Sequence, residues 1–365
     1  MANIFDYLEW RADVPLSVDP FNEVDNLVLS ELAYTDFHGI ISTDGTPVSI
    51  SDAHNAFFTC HTREEISVDK SFTAKAPLLM DNIITGCRFG NMTLSNYLDE
   101  IAEDYQLSAV VFNLDDGTRY VAFRGTDGTV AGWKEDFNFS FMNATKGQQL
   151  AVQYLNNMNG QLRVGGHSKG GNLAVFASAF CSHQEDILEI YSNDGPGFRE
   201  DTIKQEGFQQ ILPKVKSIVP DSSIIGLLLS GKSEHLVVKS SAMGILQHDA
   251  LTWQIKRNRF ETASLSDLSM LTEKMVGNWL VAMDDEARKS FIEIVFFLIE
   301  STGKDTFSSM SKEKWKTAES ILNAFMKLPK EKQQEGLRFI TQIGQSSGQT
   351  IVDYLSQMIN KKASH

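Results

Sequence analysis

Ser168 stands in a Gly-x-Ser-x-Gly frame running from Gly166 to Gly170. A serine between a strand and a helix in this frame is forced into a strained turn, and glycines on both sides are needed because a Cβ there would clash. The hydroxyl is then presented at the head of a helix, where free backbone N–H groups and the positive end of the helix dipole favour an oxyanion. The flanks agree: Leu162 and Val164 alternate before the turn, and Leu173, Ala174, Phe176 and Ala177 recur at helical spacing after it. A phosphate-cradling loop would need a lysine spacing that is missing here. Ser168 is therefore read as a nucleophile.

A serine hydroxyl needs a neighbouring base, usually a histidine oriented by a carboxylate. In the α/β-hydrolase arrangement the order along the chain is serine, acid, histidine, which leaves His183, His235, His248 and His365. His183 falls at the end of the helix after the serine and His365 lies on the tail. His235 precedes a short strand-like run, Leu236 to Lys239, whereas His248 follows the last strand candidate in a loop from which it can reach over a sheet. His248 is the expected base. Asp221, at the end of the later strand, is the expected acid, with Asp194 in the turn Asn193 to Gly197 as its competitor. The oxyanion donors are expected from Lys169, directly after the nucleophile, and from Thr126, in the glycine turn after Tyr120 to Phe123. Arg124 and Asp127 can equally serve only to stabilise that turn.

The elements needed to position these groups are readable in outline. Val24, Leu27, Val28, Leu32 and Ala33 form one helix face, and Ser95 to Ala102 suggests another helix, while residues 39–75 read as polar and irregular. Ser108 to Leu114 and Arg119 to Phe123 form a hairpin around Asp115-Asp116-Gly117. Helix candidates at Gly147 to Met158 and Asn172 to Phe180 then alternate with strands at Arg163 to Gly165, Ile187 to Ser192 and Val215 to Val219. This order predicts an α/β fold with a mostly parallel central sheet and reactive residues at the strand C-termini. The apolar run Ile224 to Leu229, just after the expected acid, reads as an acyl-pocket lining or lid, or else as a buried helix.

After about residue 262 only helical patterns remain: Ile292, Val295, Phe296 and Ile299, then Ile321 and Phe325, then Ile351, Leu355, Met358 and Ile359. The expected domains are a hydrolase-type unit over residues 1–262 and a C-terminal α-helical appendage over 263–365. With 33 Lys and Arg against 47 Asp and Glu, the formal net charge of -14 argues against a nucleic-acid surface, and Lys361-Lys362 is too short to make one. No apolar run reaches membrane-spanning length, so no stable membrane insertion is expected. The acidic start of the chain does not resemble a secretion signal, and three widely spaced cysteines, Cys60, Cys87 and Cys181, fit reduced thiols. A cytoplasmic location follows as the expectation. Cys60, His61 and His54 lack the further spacing of a metal site, and no metal or cofactor is expected.

Phe123-Arg124-Gly125-Thr126, with Trp133 and Asp136 soon after, followed by Gly166-His167-Ser168-Lys169-Gly170, resembles the class 3 lipases. Gln247-His248-Asp249 and the Asn193 to Gly197 turn are similar to a group of bacterial α/β-hydrolases related to those lipases, the Mbeg-like group. The resemblance runs over roughly residues 95–255. It implies an α/β-hydrolase fold, with Ser168 as nucleophile, Asp221 as acid, His248 as base and Thr126 as oxyanion residue. The class 3 lipases commonly follow the acid with Val-Pro, and Asp221 is followed instead by Ser-Ser-Ile-Ile-Gly. The expected activity is lipase or esterase cleavage of carboxylic esters in an acyl or lipid-like small molecule. An acyltransferase, thioesterase or amidase would use the same triad, and a catalytically silent scaffold would keep the fold without turnover.

Overall fold

The computed structural model describes residues 2–68, 73–102, 105–126, 144–223, 225–227, 234–265, 286, 290, 293–294, 297–298, 301 and 314–347. Two compact units divide the chain, residues 1–128 with 143–266, and residues 129–142 with 267–365.

The first unit begins with helices α1 (Ile4–Arg11), α2 (Glu23–Leu32), α3 (Ile50–Cys60), α4 (Arg63–Val68) and α5 (Leu79–Ile83). Its eight-stranded sheet runs β1 (Val48–Ser49), β2 (Thr93–Ile101), β3 (Gln106–Asn113), β4 (Arg119–Phe123), β5 (Leu162–His167), β6 (Ile187–Asn193), β7 (Val215–Pro220) and β8 (His235–Val238), in that spatial order. Pairings from β1 to β4 are antiparallel, and those from β4 to β8 are parallel. The fold is thus α/β with a mostly parallel sheet, as the order of elements predicts. Helices α6 (Lys146–Asn156), α7 (Lys169–Phe180) and α8 (Glu206–Ile211) connect parallel strands.

Parallel crossovers are right-handed, and a strand order that never reverses sends every crossover helix to the same face. The side chains obey this. Val111, Val121, Phe123, Val164 and Ile190 point to one face, against Ala151 and Leu155 of α6, Leu173 and Ala177 of α7, and Phe208 and Ile211 of α8. Their neighbours Val110, Phe112, Tyr120, Ala122 and Tyr191 point to the other face, against Ile4, Leu8, Leu27, Val28, Leu79 and Trp253. The N-terminal helices therefore cover the face that the crossovers leave bare.

Two expectations are corrected. Ser95 to Ile101 of the expected helix Ser95 to Ala102 belong instead to strand β2: a register shift lies between Ser95 and Leu98, with Asn96 at φ 54. The bulge interrupts alternation and spaces Leu94, Tyr97, Leu98 and Ile101 by three, four and seven residues, which imitates a helix face. Residues 39–75 are not irregular throughout, since β1, α3 and α4 fall there. Ser49 caps α3 through Asp52 N–H, and Ile50, Ala53, His54 and Phe57 form its buried stripe.

Helix α2 is buried on nearly every side, including Asp25, Asn26, Ser30 and Glu31. Asp25 pairs with the buried Arg88 and accepts from the Tyr7 hydroxyl at 2.7 Å. Asn26 donates to Asn193 Oδ1 at 2.8 Å and accepts from the Tyr120 hydroxyl at 2.6 Å, while Asn193 donates to Ser30 Oγ at 3.1 Å. These bonds join α2 to the ends of β4 and β6.

In the second unit, α9 (Lys314–Lys327) and α10 (Lys330–Ser347) are the described helices of eight residues or more. Phe325 of the Ile321/Phe325 stripe is buried, and a Cβ on Gly336 would stand 3.0 Å from its ring. The stripes at Ile292, Val295, Phe296 and Ile299 and at Ile351 to Ile359 lie outside the described residues, as do Lys361, Lys362 and His365.

Candidate active site

Ser168 occupies the turn between β5 and α7 with φ 57 and ψ -131, a conformation that a residue with a Cβ rarely adopts. The turn is closed by contact. A Cβ on Gly170 would lie 2.0 Å from the Phe123 carbonyl oxygen, and one on Gly166 would lie 2.4 Å from it and from Gly170 C. The two glycines thus let the start of α7 press against the end of β4. The Ser168 N–H donates to Asn193 O at 2.9 Å, tying the turn to the end of β6.

His248 ends a 3-10 turn, Gly244–His248, and its Nε2 stands 2.9 Å from Ser168 Oγ. Its Nδ1 stands 2.7 Å from Asp194 Oδ2. The other Asp194 oxygen accepts from the Ser223 hydroxyl at 2.5 Å and from Gly226 N–H at 3.1 Å, so each oxygen of this buried carboxylate has a donor. Asp194 is at φ 48 immediately after β6, and its own N–H donates to Ile218 O at 2.7 Å. Aspartate is among the few residues that tolerate such a backbone.

Of the two candidate carboxylates, the structure brings Asp194 and not Asp221 to His248. Asp194, at the end of the strand beside β5, holds the histidine ring, whereas Asp221 follows β7, one strand further away, and its N–H donates to Val238 O at 2.9 Å. One strand spacing is about 4.8 Å, enough to decide which carboxylate meets an imidazole already placed over Ser168. The only signal in the sequence was the Asn-Asp-Gly turn at the end of a strand. His235 lies at the start of β8, with Nδ1 2.8 Å from Ser217 Oγ.

Of the expected oxyanion residues, Lys169 directly follows the serine and Thr126 follows Gly125 in the turn after β4. Lys169 is the first residue of α7, and both it and Thr126 are buried. A Cβ on Gly125 would stand 3.1 Å from Ser168 Cβ, so the turn after β4 passes beside Ser168. Asp127, Trp133 and Asp136 lie outside the described residues, and so do Ile224, Leu228 and Leu229 of the apolar run after Asp221.

A second polar group lies behind His248 and was not foreseen. His167 Nε2 is 2.8 Å from the His248 carbonyl oxygen, and His167 Nδ1 is 3.1 Å from the Tyr34 hydroxyl and 3.4 Å from Glu31 Oε1. Burial, followed by the neighbouring His248, pulls the His167 pKa down to about 3. Burial and then the charge of Asp249 hold Glu31 well above the usual carboxyl range, and burial raises Asp249 to about 6. The neutral forms of His167 and Glu31 are thereby favoured. His54, away from the site, is directed to Asp81 at 2.8 Å. Among the described residues no helix is long and apolar enough to cross a membrane.

No curated protein matches the chain. Among solved structures, the Lip2 lipase from Yarrowia lipolytica is similar at 14% identity, with 49% of this chain and 73% of that chain covered and a TM-score of 0.29. A model of the Mbeg1-like family matches residues 83–297, a span that holds Ser168, Asp194 and His248 and more than half of the chain, so the protein belongs to the Mbeg1-like family.

Proposed function

We propose that the protein is a serine hydrolase that cleaves carboxylic esters through an acyl-enzyme, with Ser168 as nucleophile, His248 as base and Asp194 as the carboxylate that orients it. The observation that carries this reading is the continuous chain Ser168 Oγ, His248 Nε2, His248 Nδ1, Asp194 Oδ2, with links of 2.9 and 2.7 Å, built on a serine at φ 57. Ser168 Oγ attacks the ester carbonyl carbon while its proton passes to His248 Nε2. His248 then gives that proton to the departing alcohol, and water repeats the sequence to release the acid. Asp194 accepts the Nδ1–H bond and stabilises the imidazolium without taking its proton. The backbone donors of Lys169 and Thr126 are assigned to the tetrahedral oxyanion. An acyl or lipid-like ester in the cytoplasm is the proposed substrate class and setting.

The test is labelling of the full chain with a fluorophosphonate, read by intact mass, beside hydrolysis of short and long p-nitrophenyl esters. Wild type should gain one phosphonyl group that Ser168→Ala lacks. Ester turnover should fall on the order of 10³-fold or more in Ser168→Ala and in Asp194→Asn, and far less in Asp221→Asn. A folded wild type that neither labels nor hydrolyses removes the reading. Loss confined to Asp221→Asn would restore Asp221 as the acid.

A further inference from the structure

His248 is carried on a turn, and its reach to Ser168 depends on what holds that turn. Three ties converge there. Trp253 Nε1–H donates to Gln247 O at 2.8 Å; the Gln247 side chain accepts from Ser222 N–H at 2.8 Å and donates to Ala242 O at 3.1 Å; and His167 Nε2 meets His248 O at 2.8 Å. The third differs from the others in where it leads. His167 is the residue before Ser168, so the bond joins the backbone of one proposed catalytic residue to the covalent neighbour of the other.

We propose that His167 is a positioning residue for the reaction, its Nε2–H clamping the His248 carbonyl so that the imidazole is held over Ser168. This rests on the triad reading above. A carbonyl only accepts, so the bond requires the proton on Nε2, which makes Nδ1 the acceptor. The surroundings of Nδ1 fit that tautomer: the Tyr34 hydroxyl stands 3.1 Å away, and Glu31, the nearest carboxyl at 3.4 Å, is held toward its protonated, donor-bearing form by burial. His167 is 2% exposed, and its ring packs with its centroid 4.7 Å from that of His248, which restricts both rings. Its depressed pKa keeps it uncharged beside the imidazolium that turnover creates. Asp194 orients the far side of the imidazole and His167 fixes the backbone from which it hangs.

Three full-length proteins test this: wild type, His167→Leu, and His167→Gln, whose amide N–H can reach the same carbonyl. Fluorophosphonate labelling rate, kcat and KM on a p-nitrophenyl ester, and melting temperature are measured for each. Loss of the clamp is expected to lower labelling rate and kcat by about 10- to 100-fold in folded His167→Leu, with KM little changed, and His167→Gln should recover most of the loss. A folded His167→Leu that labels at the wild-type rate overturns the proposal, as does a His167→Gln as slow as His167→Leu. Should His167→Leu fail to fold, the ¹⁵N shifts of His167 in wild type decide, a protonated Nε2 supporting the clamp and a protonated Nδ1 overturning it. A wild type that does not label, with ester turnover unchanged in Ser168→Ala, removes the triad reading instead, a result distinct from loss of the clamp alone.

Discussion

Helices α2 and α7 lie on opposite faces of the same sheet and both are buried almost all round, yet they are held by different physics. Along α7 most buried positions are small or apolar, Gly170, Gly171, Leu173, Ala174, Val175, Phe176 and Ala177 among them, with Lys169, Asn172 and Ser178 buried beside them. Its serine, Ser178, bonds back to Ala174 O within the helix. Along α2 the buried positions include two carboxyls, an amide and a hydroxyl, whose bonds reach Arg88, Tyr7, Tyr120 and Asn193 on other elements. Shape seats most of α7, with Asn172 a polar anchor to Gln148, Pro196 and Gly197, whereas polar bonds from Asp25, Asn26 and Ser30 run along α2. The lesson is that one face of this sheet tolerates changes of polarity poorly and the other tolerates changes of volume poorly.

The contrast is sharpest at Arg88. Arg88→Leu leaves Asp25 buried without its ion partner and should lower unfolding free energy by about 3–5 kcal/mol in urea titrations. Replacing Asp25 by Leu in the same chain should regain much of that loss. No regain would mean that α2 is seated by shape as α7 is. A smaller effect is expected from the carboxyls behind the site. Asp249, raised to about 6, binds its proton more tightly folded than unfolded, so its contribution is full below about pH 4 and disappears as pH rises through 6. Asp249→Asn keeps an acceptor for Leu251 N–H and should flatten the stability profile between pH 4 and 7, by on the order of 2 kcal/mol. An unchanged profile would exclude Asp249 as its source. The smallest test pairs two serines. Ser30→Ala, which removes partners of Tyr120 and Asn193, should cost about 0.5–1.5 kcal/mol, and Ser178→Ala, which removes one bond inside α7, close to nothing. Equal costs would erase the comparison.

The parts of the site that were legible in the sequence are those made by neighbours in the chain. The strained turn at Ser168 needs its glycines within two residues, and His248 could be chosen because it follows the last strand in a loop. Asp194 was weighed only as the competitor to Asp221, because preference between them depends on strand adjacency and on a backbone at φ 48, neither of which a linear reading contains. The α/β order was readable from alternating patterns, but β2 was not, since its bulge converts a period of two into helix-like spacing. Helix α3 carried a usable signal, a serine cap before Ile50, Ala53 and Phe57, that the polar residues around it obscured. The role of His167 had no sequence signal beyond lying next to the serine, because its partner is 81 residues away.

The unreversed strand order has a consequence for how the protein is made. Each strand pairs with the one synthesised just before it, so the sheet can grow at the ribosome in the order in which the chain emerges. The second face closes later. Ile255 N–H donates to Ala2 O at 2.9 Å, Asn258 donates to Asp19 at 3.3 Å, and Trp253 enters the same core as Ile4 and Leu8. The first helix thus waits for a segment some 250 residues behind it, and that segment immediately follows His248. A nascent chain holds Ser168 early, without His248, and receives His248 in the same stretch of synthesis that closes over α1.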